Sequence, residues 1–476
     1  MAEITLNATA PEETRTHYIA TTNACKLCTP LGAALAFQGI EGAIPFLHGS
    51  QGCATYMRRY VISHYREPID IASSSLGEKH AVYGGGPNLK QGIRNVMKKY
   101  HPTVIGIATT CLTETIGDDV PMILLELKKD MDGAAEGPAL PLLVPVSTPS
   151  YSGTHADGFR AAIRSVVATL ADDAKPHGGI NLFPGLVSPT DTRYLKEILR
   201  DFGMECAILP DLSDRLDAPA VDHYEKLPPG GTPIDAIRKM GGAMAAIEFG
   251  RTLPDSETGN GGRIEATTAG LLLAERFKQP RYLLGLPIGL RESDAFFDLL
   301  EEISERETPE EHAKERGRLV DAYVDGHKYV FGKRAVLYGE EDLVVGLAAF
   351  LTEIGIKPVL CASGGKSGRF EKAVKAVTDG ILDEPPKVLE GVDFHQIGQL
   401  SESLAPDLLI GHSKGYSLAK RLNIPLIRVG FPIHDRFGGQ RLRHIGYRGT
   451  QELLDRIVNA ILERNQESSP IGYGYL

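Results

Sequence analysis

Four of the six cysteines, Cys25, Cys28, Cys53 and Cys111, fall in the first quarter of a 476-residue chain, and three of these stand where a helix is expected to begin. Cys28 precedes Thr29-Pro30-Leu31-Gly32 and an Ala/Leu/Phe run, and proline ahead of such a run marks a helix start. Cys53 closes the loop His48-Gly49-Ser50-Gln51-Gly52, with residues 54–62 readable as helix. Cys111 follows the apolar run 103–109 and leads through Leu112-Thr113-Glu114-Thr115 into another helix. Backbone N–H groups and the positive end of a helix favour thiolate over thiol, and thiolate is what iron–sulfur ligation requires. A single free cysteine is more often a small buried hydrophobe. Three of them in Gly-rich or Thr-rich turns weaken that plainer reading.

Other groups carry less. Cys25 and Cys28 form C-x-x-C, a spacing found in redox pairs and half zinc sites, but no second ligand pair of zinc-site spacing lies nearby and Thr21-Thr22-Asn23 does not read as a preceding strand. Cys206 and Cys361 sit inside apolar runs and read as core. His48, His64 and Glu67 are able to ligate metal or donate protons, although such residues are more often hydrogen-bonded in loops. The string SGGKSG at 363–368 has part of a phosphate-binding loop, yet Leu360 stands five residues before Gly365, where glycine is needed. A nucleotide site is therefore not expected here. Gly84, Gly85 and Gly86 suit a turn that another backbone approaches closely, and the charged run 301–307 suits a solvated helix face.

These residues need a scaffold. Apolar runs at 103–109, 142–147, 180–186, 206–209, 245–249, 282–286, 335–338, 358–361, 408–410 and 426–429, each bounded by Gly, Pro or Ser, read as buried parallel strands. Helical patterns alternate with them, at 191–202, at 341–353 and after Thr450, where Leu453, Leu454, Ile457, Val458, Ile461 and Leu462 make an apolar stripe. The alternation predicts an α/β chain of three Rossmann-like domains with helix-flanked parallel sheets. Seams near 173–179 and 328–334 divide it into 1–175, carrying the cluster cysteines, 176–330 and 331–476. Residues 254–263 read as an exposed loop. In such sheets chemistry gathers at the carboxyl ends of strands.

Composition excludes several functions. A formal charge of −10 argues against a nucleic-acid groove or an anionic membrane as the main partner. The opening residues lack a basic segment followed by an apolar core, and no run approaches the roughly 18 apolar residues of a membrane span. A cytoplasmic protein with reduced cysteines is the expectation.

Residues 28–42 (CTPLGAALAFQGIEG), 45–56 (PFLHGSQGCATY), 64–68 (HYREP), 81–89 (AVYGGGPNL), 109–119 (TTCLTETIGDD) and 148–155 (TPSYSGTH) resemble successive motifs of the nitrogenase component-1 β-subunit family, in order. Residues 317–339 and 424–438 are similar too, so the resemblance spans nearly the whole chain. It implies three α/β domains, an α₂β₂ heterotetramer with an α-type subunit that carries the active-site cofactor, and a P-cluster (8Fe-7S) shared between the two subunits. It places the β-side ligands on Cys28, Cys53 and Cys111, and an oxygen ligand of the oxidised cluster on Ser150. It also puts Tyr56 near the cluster and Tyr83 at the docking surface of a separate homodimeric, ATP-dependent iron–sulfur reductase. Arg66 and Glu67 overlap a motif near an inter-subunit mononuclear metal site.

Departures qualify the resemblance. The approach to Cys28 is short, Cys25 is extra, and residues 437–450 (FGGQRLRHIGYRGT) look more like the β-like subunit of the cofactor-assembly scaffold. That subunit typically lacks cysteines at the positions of Cys28 and Cys111. A sequence between the two branches suggests a nitrogenase-like reductase, with methylthio-alkane reductase the best-fitting group. The alternatives are a non-catalytic scaffold for cofactor assembly and a metal-free small-molecule binding protein. The substrate itself is not legible, because it is reduced on the partner chain.

Overall fold

The computed structural model describes residues 23–132, 139–223, 225–255 and 268–471. Strands β1 (Ala43–His48), β2 (Ala72–Ser73), β3 (Val104–Thr109) and β4 (Leu142–Val146) form a parallel sheet in the order β2-β1-β3-β4. Next, β5 (Ile180–Phe183), β6 (Cys206–Ile208), β7 (Ala246–Phe249) and β8 (Arg281–Leu284) form a second, ordered β6-β5-β7-β8. The third contains β9 (Arg334–Gly339), β10 (Lys357–Ser363), β11 (Lys387–Leu389), β12 (Leu408–Gly411) and β13 (Leu426–Arg428), ordered β11-β10-β9-β12-β13. Helices cover both faces, so β1, β3, β5, β7 and β12 are buried along their whole length, and β3 and β12 read as unbroken apolar runs.

Three strands differ from expectation. β1 holds Pro45, which has no N–H for the ladder; it lies outside the Phe46–Leu47 stretch that pairs with β2, where a proline is tolerated. β2 and β11, with two and three residues, are too short to show a pattern. The exposed loop expected at 254–263 lies outside the described residues from 256 onward. Among the described residues no helix is long and apolar enough to cross a membrane.

Two helices determine where Cys28 sits. All ten residues of the helix Thr29–Gln38 are buried, and it lies against the helix His155–Leu170. A Cβ on Gly32 would fall 1.6 Å from His155 O, and one on Gly158 would fall 1.9 Å from Thr29 O. The backbones touch, and only glycine permits that approach. The final helix, Gly446–Ser468, buries Leu453, Leu454, Ile457 and Ile461 and packs on the helix Glu310–Val330.

Candidate metal centre

The carboxyl edge of the first sheet brings the expected site residues together. His48, which ends β1, is in register with Thr109, which ends β3, and Ala108 pairs with Val146 at the end of β4. From these ends the chain runs into Cys53, Cys111 and Ser150. Cys53 is the third residue of the helix Gln51–Tyr65, and Cys111 is the first of the helix Cys111–Ile116. The latter is six residues long, too short for a strong macrodipole. Its sulfur is served directly instead: Ser150 N–H donates to Cys111 Sγ at 3.2 Å. The Ser50 hydroxyl donates to Cys53 Sγ at 3.4 Å.

Cys28 arrives from another direction. It is the N-cap of the buried helix Thr29–Gln38, with proline in the first turn. His155 N–H donates to Leu27 O at 3.0 Å and the Thr29 hydroxyl to Pro149 O at 3.4 Å, so Cys28 is fastened to the connection that carries Ser150. The Tyr56 hydroxyl lies within electrostatic reach of Cys28. All three thiols are partly exposed, and Tyr56 and Tyr151 beside them are 48% and 68% exposed.

A hydrogen-bonded brace holds the Cys53 and Cys111 loops. His48 is fully buried, with Nε2 3.0 Å from Asp118 Oδ2 and Nδ1 2.9 Å from Ser74 Oγ. Gly49 N–H donates to Ser74 Oγ at 2.9 Å, and the Thr113 hydroxyl to His48 O at 3.0 Å. Asp118 also accepts from Gly85 N–H at 3.0 Å, which ties in the turn beside Tyr83. Glu114 accepts hydroxyls from Thr109 and Ser147. Asp118 and Glu114 lie inside the quoted motif at 109–119, but nothing in their sequence context marks them as braces.

The remaining candidates have other surroundings. Cys25 is 3% exposed and Cys361 fully buried; burial pushes the Cys25 thiol up to about 12 and the Cys206 and Cys361 thiols higher still. His64 lies inside a helix rather than a loop, buried, its Nδ1 accepting from Ile433 N–H at 2.9 Å; burial pushes it down to about 4. Glu67 accepts from Ala218 N–H at 3.0 Å. In the SGGKSG turn, Glu341 accepts from Ser367 N–H, and Glu390 from Gly368 and Phe370 N–H, at 3.2 to 3.3 Å. Carboxylates thus occupy amide donors that a phosphate would need.

The donor set fits an iron–sulfur group. Its thiols are partly exposed, two of them receive hydrogen bonds of the kind that tune cluster sulfur, and the aromatic rim is open to a second chain. Among the described residues no three His, Cys, Asp or Glu side chains form a cage for a single metal ion.

Comparison with known proteins identifies the family. Residues 28–462 match the family described as nitrogenase component 1 type oxidoreductase. The chain is 34% identical over 443 residues to the nitrogenase molybdenum-iron protein beta chain of Clostridium pasteurianum, covering 93% of each. It is 35% identical to the nitrogenase vanadium-iron protein beta chain of Trichormus variabilis, covering 91% of this chain and 92% of that one. A solved structure described as nitrogenase Cp1 at pH 6.5 superposes with a TM-score of 0.90 at 31% identity, covering 98% of this chain and 99% of the other.

Proposed function

The chain belongs to the nitrogenase component 1 type oxidoreductases, as a β-type chain, and from that premise we propose that it lends Cys28, Cys53 and Cys111 to an iron–sulfur cluster of the P-cluster type (8Fe-7S) shared with an α-type subunit. The observation that carries this reading is the half-built site: three partly exposed thiols at one sheet edge, rimmed by exposed Tyr56 and Tyr151. Half a ligand set at an open face calls for a partner to complete it. Ser150 stands beside Cys111 with its N–H on the sulfur, which supports its reading as the oxygen ligand of the oxidised state. When bound, the cluster supplies one-electron storage between an ATP-dependent iron–sulfur reductase and the cofactor of the α-type subunit. The chain's own part is to hold thiolates, orient them through the Asp118–His48–Ser74 brace, and present a docking face at Tyr83.

The working assembly in this proposal is a cytoplasmic α₂β₂ heterotetramer whose sheets act as three domains, 1–175, 176–330 and 331–476. Its substrate is either dinitrogen or the carbon–sulfur bond of methylthio-alkanes, the latter favoured by residues 437–450 and the extra Cys25. Those same residues favour a second reading, a scaffold subunit for cofactor assembly, against which the full set of three thiols weighs.

The test is iron and turnover in the purified αβ complex. Wild type should hold cluster iron and reduce substrate when the reductase and ATP are added. Cys53→Ala and Cys111→Ala should each lose cluster iron, because no neighbouring group replaces a missing thiolate. Unchanged iron per αβ unit in both variants would sink the ligand assignment. An iron-loaded complex that never couples to ATP hydrolysis would favour the scaffold.

A further inference from the structure

One cation near this site has no carboxylate. Lys414 sits in the short turn Ser413–Gly415 that follows β12, at the carboxyl edge of the third sheet. Its Nζ donates to Ala24 O at 3.0 Å and to Lys26 O at 3.3 Å, so it grips the chain on both sides of Cys25, just short of Cys28. The strap is held elsewhere too: Ala24 bridges to Asp393, and Phe394 N–H donates to Asn23 O. Lys414 is partly buried, and among the described residues no Asp or Glu pairs with it. The ionisable acidic groups within its electrostatic reach are the thiols of Cys25 and Cys28.

A partly buried ammonium bonded only to neutral carbonyls carries a desolvation cost that an anion within reach offsets. Cys25 does not supply one at neutral pH, because burial holds its proton. Cys28 and the group it binds remain. We propose that Lys414 is a positioning residue that fastens the strap leading to Cys28 and sets a fixed positive charge beside the cluster edge that Cys28 holds. The proposal rests on the cluster reading above. A fixed positive charge favours the more negative, reduced form of a nearby cluster and so raises its reduction potential.

Three variants of the αβ complex separate charge from grip. Lys414→Gln keeps two N–H donors and drops the charge, Lys414→Arg keeps the charge, and Lys414→Met removes both. The midpoint potential of the cluster should fall in Gln and Met and return toward wild type in Arg. Amide exchange at residues 23–27 should quicken most in Met. Cluster loss from Gln but not from Arg would support the same dependence on charge. An iron-loaded Gln variant with the wild-type potential, or equal exchange in all four proteins, overturns the proposal. Wild-type complex lacking cluster iron would instead defeat the cluster reading on which it stands.

Discussion

Cys25 packs among Val336, Tyr338, Leu360 and Phe394, in the core beside the third sheet, three residues ahead of a thiol that reaches the surface. Its sulfur lies 3.9 Å from His412 Nε2, in a place where burial keeps the proton on sulfur and drives His412 toward its neutral form. Such a thiol contributes packing rather than ligation. Cys25→Ser should therefore leave the paramagnetic signal of the cluster nearly unchanged while lowering stability by about 1 to 3 kcal/mol, and Cys361→Ala should do the same from the other face of the third sheet. Iron lost from Cys25→Ser, or a shifted cluster potential, would promote Cys25 to the ligand sphere. The C-x-x-C spacing alone did not separate the two roles. The separation comes from Ala24 bridging to Asp393, a pairing across more than three hundred residues that no local pattern reveals.

The turn of Gly84, Gly85 and Gly86 follows the short helix Glu78–Tyr83 and carries its own consequence. A Cβ on Gly85 would fall 2.5 Å from Asp118 Oδ2 and 2.9 Å from His48 Cε1, so this surface turn rests directly on the buried brace of the cysteine loops. Val82 and Tyr83 beside it are 77% and 85% exposed. An apolar pair exposed to this degree suits a docking contact. Tyr83→Glu should weaken binding of the reductase and slow turnover while cluster iron stays intact; turnover equal to wild type at limiting reductase would move the docking face elsewhere. Long apolar strands were legible because burial on both faces leaves an unbroken hydrophobic run, as in β3 and β12. β1 was not, because Pro45 disguises it, although its end places both His48 and the Cys53 loop. Lys414 was likewise invisible in sequence: only the fold carries the end of β12 to the strap before Cys28.

Buried polar knots join the three sheets. Arg160, on the helix His155–Leu170, reaches Glu340 at 2.6 Å and Asp342 at 3.3 Å beyond β9, and Asp342 accepts from Thr252 N–H at 2.8 Å beyond β7. A second knot centres on Glu315, which accepts from the Tyr194 hydroxyl at 2.6 Å and from Arg448 Nε at 2.9 Å, with His312 Nδ1 3.5 Å away. It gathers the helices Pro189–Asp201, Glu310–Val330 and Gly446–Ser468. Burial alone would push the Glu315 carboxyl up, but the nearby His312 ring and hydrogen bonds from Tyr194 and Arg448 outweigh it and hold the group at about 2. A carboxyl depressed below its ordinary 4.5 stabilises the fold at pH values above 4.5 and loses that contribution as pH falls toward 2. Glu315→Gln should thus lower stability near neutral pH by about 1 to 2 kcal/mol once solvent screening is allowed for, with the gap to wild type closing on acidification. Apparent melting temperatures of the two complexes between pH 7 and pH 3 check it. A gap that stays constant across that range would mean that Glu315 acts through shape and hydrogen bonding, not through its charge.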